Sequence, residues 1–106
     1  MSDWIPVAKV AELAPGQWRV VDADGAQIVV FNLGGEYFAI EDVCTHDGGR
    51  LTGGPREGCR LVCPRHGAAF DLRTGAVLAP PAYNPIATFP VQIAVDWIQV
   101  RIPDDF

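Results

Sequence analysis

The stretch from Cys44 to His66 holds the residues whose types and spacing point to chemistry. It reads CTHDGGRLTGGPREGCRLVCPRH, with Cys44 and His46 at its start and Cys63 and His66 at its end. Sixteen residues separate His46 from Cys63, and these two pairs contain both histidines of the chain and two of its three cysteines. Thiolate and imidazole are ligands of zinc and of iron–sulfur clusters. The sequence therefore predicts a metal centre in this stretch.

Two kinds of metal centre compete for this donor set. A structural zinc site often combines a Cys pair with a separate His or Cys pair, and on ligand types alone zinc stays an alternative. Here each pair is mixed, with Cys before His, separated by one residue in the first pair and by two in the second. Such pairs supply two thiolates and two imidazoles, which matches a [2Fe–2S] cluster in which one iron binds both cysteines and the other both histidines. Glycines after each histidine allow backbone N–H groups to approach the cluster sulfurs.

The remaining cysteine, Cys59, lies four residues before Cys63 in a predicted strand over residues 58–63. We interpret it as a small, buried or half-buried strand residue. A fourth thiolate ligand replacing a histidine is the alternative. Three cysteines do not form a closed set of disulfides, and this count favours a reducing cytoplasm.

Short strands are the elements that must position these residues. Runs of apolar and β-branched residues alternate with Gly, Pro and Asp turns, and no stretch keeps a 3.6-residue period. The pattern predicts an all-β protein, an antiparallel sandwich or small barrel, forming a single domain over residues 1–106. It predicts one helical turn at 11–16, turns at 22–25 and 34–35, a stiff proline loop at 79–85 and a frayed end at 103–106. The predicted strands are 4–8 (an edge strand, because of Pro6), 18–21, 27–31, 36–40, 58–63, 69–72, 77–78, 88–95 and 97–102.

Composition and charge limit the possible functions. Apolar residues make up 49% of the 106 residues, enough for a core, and three tryptophans are expected to pack in it or on the sheets. We expect no membrane span and no secretory signal, because no long apolar run is present. The net charge of −5 argues against a nucleic-acid partner. Residues 44–73 carry five arginines and three acids, whereas the remainder carries ten acids and three basic residues. This segregation is either a feature of an ordinary solvated surface or a charge distribution that would orient a charged partner.

The metal-binding stretch resembles a Rieske iron–sulfur domain, with the pattern Cys-x-His-x16-Cys-x-x-His. The match continues through HGAAFDLRTG and the proline loop, over about residues 36 to 90. It is most similar to the Rieske-type ferredoxins that serve bacterial ring-hydroxylating oxygenases. The resemblance implies the Rieske fold: an antiparallel base and a small cluster-binding subdomain at about 43–82. That subdomain comprises two ligand loops and a covering proline loop, for which Pro80-Pro81-Ala82 is the candidate.

By this resemblance, Cys44 and Cys63 bind the inner iron of one [2Fe–2S] cluster, and His46 and His66 bind the outer iron. The resemblance implies a soluble, monomeric one-electron carrier between an NAD(P)H-dependent flavin reductase and a terminal oxygenase, located in the cytoplasm. Catalysis by the chain itself is not expected, because no histidine remains for a mononuclear iron site or for activating a nucleophile. The alternatives are an accessory of iron–sulfur assembly, a small subunit of another reductase, or a zinc-stabilised binding module.

Two departures from the respiratory-complex type of Rieske domain are informative. That type carries one extra cysteine in each ligand loop, forming a disulfide, and Gly49 and Arg65 stand at these positions here. Packing and backbone hydrogen bonds are therefore expected to hold the loops. The respiratory type also has a serine and a tyrosine that donate to sulfur, where this chain has Ala68 and Phe70. Fewer donors predict a potential of roughly −150 mV or lower.

Overall fold

The computed structural model describes residues 3–23 and 25–103. In this part of the chain, antiparallel pairing joins eleven strands, and one 3₁₀ helix spans Val10–Glu12, so the all-β prediction is confirmed. No helix within the described ranges has the length and apolar character needed to cross a membrane. The strands are β1 (Trp4–Lys9), β2 (Trp18–Ala23), β3 (Ala26–Leu33), β4 (Glu36–Glu41), β5 (Arg56–Glu57), β6 (Arg60–Val62), β7 (Ala69–Asp71), β8 (Val77–Ala79), β9 (Thr88–Phe89), β10 (Val91–Ala94) and β11 (Trp97–Arg101).

The central sheet has the strand order β2-β3-β4-β9, and its strand β3 is buried on both faces. Strand β3 contains the unbroken apolar run of residues 28–31, and all four side chains are buried. Because successive side chains of a strand point to opposite faces, Ile28 and Val30 pack into one core while Val29 and Phe31 pack into another. Apolar and polar residues do not alternate in this run, because neither face of the strand is exposed to water.

One face of the central sheet packs on the three-stranded sheet β1-β11-β10. Ile98 and Val100 of β11 are fully buried against Ile28 and Val30, forming what we call the base core. Strand β1 lies at the edge of this sheet, as Pro6 predicts, since proline has no N–H to donate to a second neighbour.

The other face carries the predicted metal centre. The four-stranded sheet β5-β6-β7-β8 contributes Leu61 and Phe70 to a second cluster of buried side chains, which also contains Cys44 and Cys63. We call this cluster the site core. The first ligand loop follows β4 directly, and the second connects β6 to β7. Both loops therefore leave strands that are anchored in the same core.

Three local predictions differ from the structure. The single strand predicted for 88–95 is two strands, because Pro90 interrupts the ladder: Phe89 pairs with Ala39 in the central sheet, whereas Val91 pairs with Val100 in the three-stranded sheet. Strand β5 was not predicted, and it leaves Cys59 in the turn before β6 and not within a strand. The predicted helical turn at 11–16 is a 3₁₀ helix one residue earlier, followed by a turn at 15–16.

The tryptophans lie on the sheets, but two of them are not core residues. Trp18 is 46% exposed and Trp97 is 38% exposed, and Lys9 lies over the Trp97 ring at 5.8 Å. Two further predictions reach beyond the described residues: the turn at 22–25 includes Asp24, and the frayed end includes residues 104–106. The bounds of the domain and of the cluster-binding subdomain stay predictions.

Candidate metal centre

The two ligand loops have the same backbone hydrogen-bond pattern. In the first loop the Cys44 N–H donates to the Gly49 carbonyl (2.7 Å), and the Gly48 N–H donates back to the Cys44 carbonyl (2.8 Å). In the second loop the Cys63 N–H donates to the Ala68 carbonyl (2.6 Å), and the Gly67 N–H donates back to the Cys63 carbonyl (3.2 Å). The fourth residue after each cysteine is thus a glycine, with φ of +77° at Gly48 and +78° at Gly67. Left-handed backbone closes each loop tightly around its cysteine.

The two cysteine thiols lie together in the interior. Cys44 is 0% and Cys63 is 1% exposed, and their Sγ atoms lie within 4.8 Å of each other and of an Asp47 carboxylate oxygen. Burial raises the pKa of the Cys44 thiol, and the neighbouring Cys63 thiol adds to the rise, while the backbone N–H groups of His46 and Asp47 oppose it. A buried thiolate here is disfavoured unless a cation compensates its charge.

The two imidazoles lie together at the surface. His46 and His66 are exposed, their ring centroids are 5.2 Å apart, and the rings meet edge to face at 88°. The structure therefore brings all four predicted ligand residues to one place, with thiols inside and imidazoles outside. The tightest group of possible ligand atoms differs from the predicted set, because it contains Asp47 with the two thiols and neither histidine.

This arrangement fits a cluster with mixed ligands. Two buried thiols side by side suit a site in which iron replaces the thiol protons. The borderline imidazole ligands on the exposed side suit a second iron near the surface. The two separate loops present one thiol and one imidazole each, as that ligation requires.

The loops are joined by an ion pair that the sequence reasoning missed. Arg65 donates from Nε to Asp47 Oδ2 (2.5 Å) and from Nη2 to Asp47 Oδ1 (2.9 Å), and its Nη1 donates to the Arg50 carbonyl (2.7 Å). The Arg65 hydrogen bond, helped by the Gly49 N–H, holds the pKa of the Asp47 carboxyl well below its usual range. Hydrogen bonding to Asp47 in turn raises the pKa of Arg65. Both groups are thus charged at any working pH.

The proline loop lies against the first ligand loop. The Thr45 hydroxyl donates to the Asn84 carbonyl at 2.6 Å, and Ala82 is buried in the site core, which also contains Cys44 and Cys63. Tyr83, between these two anchors, is 88% exposed. The loop therefore contributes a buried residue to the site core and presents an aromatic ring to solvent.

A buried carboxylate closes the base of the first ligand loop. Asp42 is 1% exposed and accepts from the N–H groups of Leu51 (2.8 Å) and Thr52 (2.9 Å) and from the Thr52 hydroxyl (2.9 Å). It thereby ties the chain entering the loop to the chain leaving it. These partners lie nine and ten residues away, a separation with no local capping motif, so the sequence alone offered no signal for the contact.

Gly54 lets the chain between the two ligand loops pass close to β6. A Cβ built at this position would lie 1.9 Å from the Val62 carbonyl oxygen and 3.1 Å from Pro64 Cδ. The Val62 N–H donates to the Pro55 carbonyl at 2.9 Å. The approach therefore fixes the backbone immediately before Cys63, and only glycine permits it.

Cys59 is half-buried, as predicted, and packs at the margin of the site core. Its sulfur accepts a hydrogen bond from Arg73 Nε at 3.1 Å, and this contact raises the pKa of Arg73. The group of ligand atoms around Cys44 and Cys63 does not contain it.

Comparison with known proteins places the chain in a family. The model of the Rieske [2Fe-2S] domain matches residues 3–90. The ferredoxin component of the naphthalene 1,2-dioxygenase system of Pseudomonas putida is 32% identical over 90 residues, covering 85% of this chain and 86% of the relative. The 3-phenylpropionate/cinnamic acid dioxygenase ferredoxin subunit of Shigella flexneri is 36% identical over 96 residues, covering 90% of each.

Solved structures agree with these relatives. The ferredoxin of carbazole 1,9a-dioxygenase from Nocardioides aromaticivorans superposes with a TM-score of 0.87 at 32% identity, covering 93% of this chain and 97% of that one. A chain in the complex of reduced oxygenase and oxidized ferredoxin in carbazole 1,9a-dioxygenase also gives 0.87 at 32% identity, covering 92% of each. The chain belongs to the Rieske [2Fe-2S] domain family, so the predicted fold and cofactor are confirmed. Over nearly its whole length it matches ferredoxins, which are electron carriers and not themselves catalytic, as predicted.

We predict that Asp42→Ala destabilises the protein by about 3 kcal/mol, because two backbone N–H groups and a hydroxyl lose their buried acceptor. Asp42→Asn should cost less, since its carbonyl oxygen still accepts. The measurement is the urea concentration at which half of the cluster absorbance is lost.

Asp22→Ala serves as the matched control, because Asp22 is an exposed carboxylate on β2. Its urea midpoint should equal that of the parent protein. An Asp42→Ala midpoint indistinguishable from the control would show that the carboxylate does not hold the loop.

Proposed function

We propose that Cys44, Cys63, His46 and His66 hold the single [2Fe–2S] cluster of this Rieske ferredoxin. The observation that carries the proposal is the segregation of the donors: thiols buried within 4.8 Å of each other, imidazoles exposed and in contact. The cluster, when bound, supplies one-electron redox chemistry. In the proposed domain, residues 1–106, the ligand loops and the proline loop form a cluster-binding subdomain over about 43–82.

The protein's residues have separable roles in this proposal. Burial of Cys44 and Cys63 in the site core keeps water away from the side of the cluster that would face the protein interior. Exposure of His46 and His66 places aromatic ligands at the surface, where a partner reaches them over a short distance. The bond from the Thr45 hydroxyl to the Asn84 carbonyl joins the neighbours of His46 and Tyr83, and Tyr83 is 88% exposed, so we propose it as a further contact residue.

The proposed role is to carry electrons from an NAD(P)H-dependent flavin reductase to a terminal oxygenase. Both relatives are ferredoxin components of dioxygenase systems, and the carbazole enzyme forms a complex between oxygenase and ferredoxin. Electron-transfer contacts are usually small and transient, and the exposed patch of two histidines and one tyrosine suits such a contact. We further propose a monomer in the cytoplasm; the reducing compartment suits a chain whose three cysteines do not form a closed set of disulfides.

We also propose that the cluster has a low midpoint potential. Ala68 and Phe70 are fully buried in the site core, which also contains Cys44 and Cys63, and neither carries a hydroxyl. No hydroxyl at these two positions donates to sulfur, so the added negative charge of the reduced state is less stabilised. We expect a midpoint of roughly −150 mV or lower.

Electron paramagnetic resonance tests the ligand assignment. The reduced protein should contain iron and equimolar acid-labile sulfide and give a rhombic signal with average g well below the free-electron value. Cys59→Ser should keep this signal unchanged, because its sulfur contacts Arg73 instead of the ligand group. One bound zinc without colour, or loss of iron in Cys59→Ser, would overturn the assignment.

Anaerobic stopped-flow mixing tests the electron-carrier role. The reduced protein, mixed with the oxidised terminal oxygenase of carbazole 1,9a-dioxygenase, should be reoxidised faster than in buffer alone. Tyr83→Ala should slow this reaction several-fold without moving the midpoint potential, since the exposed ring acts only in docking. Val95→Ala is the control, because Val95 is 99% exposed but lies in the β10–β11 turn. Reoxidation no faster than in buffer would contradict the role.

Hydroxyl donors restored beside the cysteines should raise the midpoint potential. For Ala68→Ser combined with Phe70→Tyr we expect a rise of tens of millivolts, because a hydrogen bond contributes about 1 kcal/mol and a tenfold change in a one-electron equilibrium is about 59 mV. A dye-equilibrated redox titration measures it. Ala69→Ser adds the same hydroxyl on the opposite face of β7 and should leave the potential unchanged. A potential that does not respond to the double substitution would refute the explanation.

A further inference from the structure

The ion pair between Asp47 and Arg65 joins the two ligand loops next to the ligands themselves. Asp47 follows His46 directly, and Arg65 directly precedes His66. The carboxylate and guanidinium form two parallel hydrogen bonds, of 2.5 and 2.9 Å. This bidentate geometry is the stronger form of such a pair and fixes the relative orientation of both groups.

The surroundings hold the pair in place on both sides. The third guanidinium nitrogen, Nη1, donates to the Arg50 carbonyl at 2.7 Å, and the carboxylate also accepts from the Gly49 N–H at 2.9 Å. The guanidinium lies flat against Gly49: a Cβ at that position would be 2.5 Å from Arg65 Cζ. One arginine of the second loop therefore makes three hydrogen bonds with the first loop. An ordinary exposed salt bridge, worth little on its own, has no such additional anchors.

The carboxylate of this pair lies close to the proposed redox centre. An Asp47 oxygen is within 4.8 Å of the Sγ atoms of both ligand cysteines, and Oδ2 is 3.5 Å from His66 Nδ1. A negative charge at this distance opposes the addition of an electron, unless a positive charge beside it compensates. Arg65 supplies that compensation, and its side chain is only 35% exposed while that of Asp47 is 20% exposed, so water screens the pair incompletely.

We propose that Asp47 and Arg65 are positioning residues that clamp the two ligand loops and balance the charge beside the cluster. The inference rests on the proposed function, because it assigns the charge balance to the midpoint potential of the bound cluster. Two effects follow. Loss of the clamp loosens the loops, whichever partner is removed. Loss of the balance shifts the potential in a direction set by the charge that remains.

The test compares midpoint potentials of the cluster-loaded protein at one pH and low salt. Arg65→Gln leaves the carboxylate unpaired and should lower the potential, whereas Asp47→Asn leaves the guanidinium unpaired and should raise it. Each shift should reach about threefold or more in the equilibrium constant for electron exchange. The double variant should return near the parent value, and high salt should shrink both single shifts.

Two control variants separate charge from geometry. Arg50→Gln removes the same charge from an exposed side chain of the first loop and should lower the potential less than Arg65→Gln does. Arg65→Lys keeps the charge but loses the bidentate fork, so it should keep the potential while its cluster is lost faster on dilution. If Arg65→Gln does not retain its cluster, Asp47→Asn and Arg65→Lys still decide the question.

The outcomes distinguish a failure of the proposed function from a failure of the roles proposed for Asp47 and Arg65. A parent protein without a [2Fe–2S] signal would defeat the proposed function. A parent with that signal, but with single variants that shift the potential in the same direction or not at all, would defeat the charge balance alone. An equal rate of cluster loss in Arg65→Lys, Asp47→Asn and the parent would defeat the clamp.

Discussion

The site depends on burying two cysteine thiols side by side while two imidazoles of the same loops stay in water. Burial raises the pKa of the Cys44 thiol, and the neighbouring Cys63 thiol adds to the rise, so the site favours a bound cation. The surrounding fold buries both thiols in the site core. Strand β3 contributes Val29 and Phe31 to this core and supports the base core with its opposite face. The central sheet thus serves two cores with one set of strands.

Each ligand loop closes on itself through its backbone, but among the described residues no backbone hydrogen bond joins one loop to the other. Side chains do that: Arg65 reaches from the second loop to Asp47 and to the Arg50 carbonyl in the first. Thr45 then fastens the proline loop to the first ligand loop. The prediction that packing and backbone hydrogen bonds hold the loops was therefore incomplete. Gly49, where the respiratory type has a cysteine, leaves the space that the Arg65 guanidinium occupies.

Much of the fold follows from local pattern. Strands β2, β3, β4 and β11 begin and end near their predicted limits, because apolar runs between Gly and Asp turns specify them. The wrong predictions occur where the tertiary structure overrides the local sequence pattern. The segment 88–95 alternates like one strand, yet Pro90 transfers the chain from one sheet to another. Trp18 and Trp97 are apolar enough for a core but lie on outer faces that no further layer covers in the described structure.

The sequence by itself determined the kind of centre, because ligand chemistry depends on residue type and on spacing within each loop: one thiol and one imidazole per loop, closed by a glycine four residues after the cysteine. Only the tertiary structure decided how the two loops face each other. Asp42 binds residues nine and ten positions away, and Asp47 binds an arginine eighteen positions away. Such contacts require the loops to be brought together first, and no local pattern of residues encodes that approach.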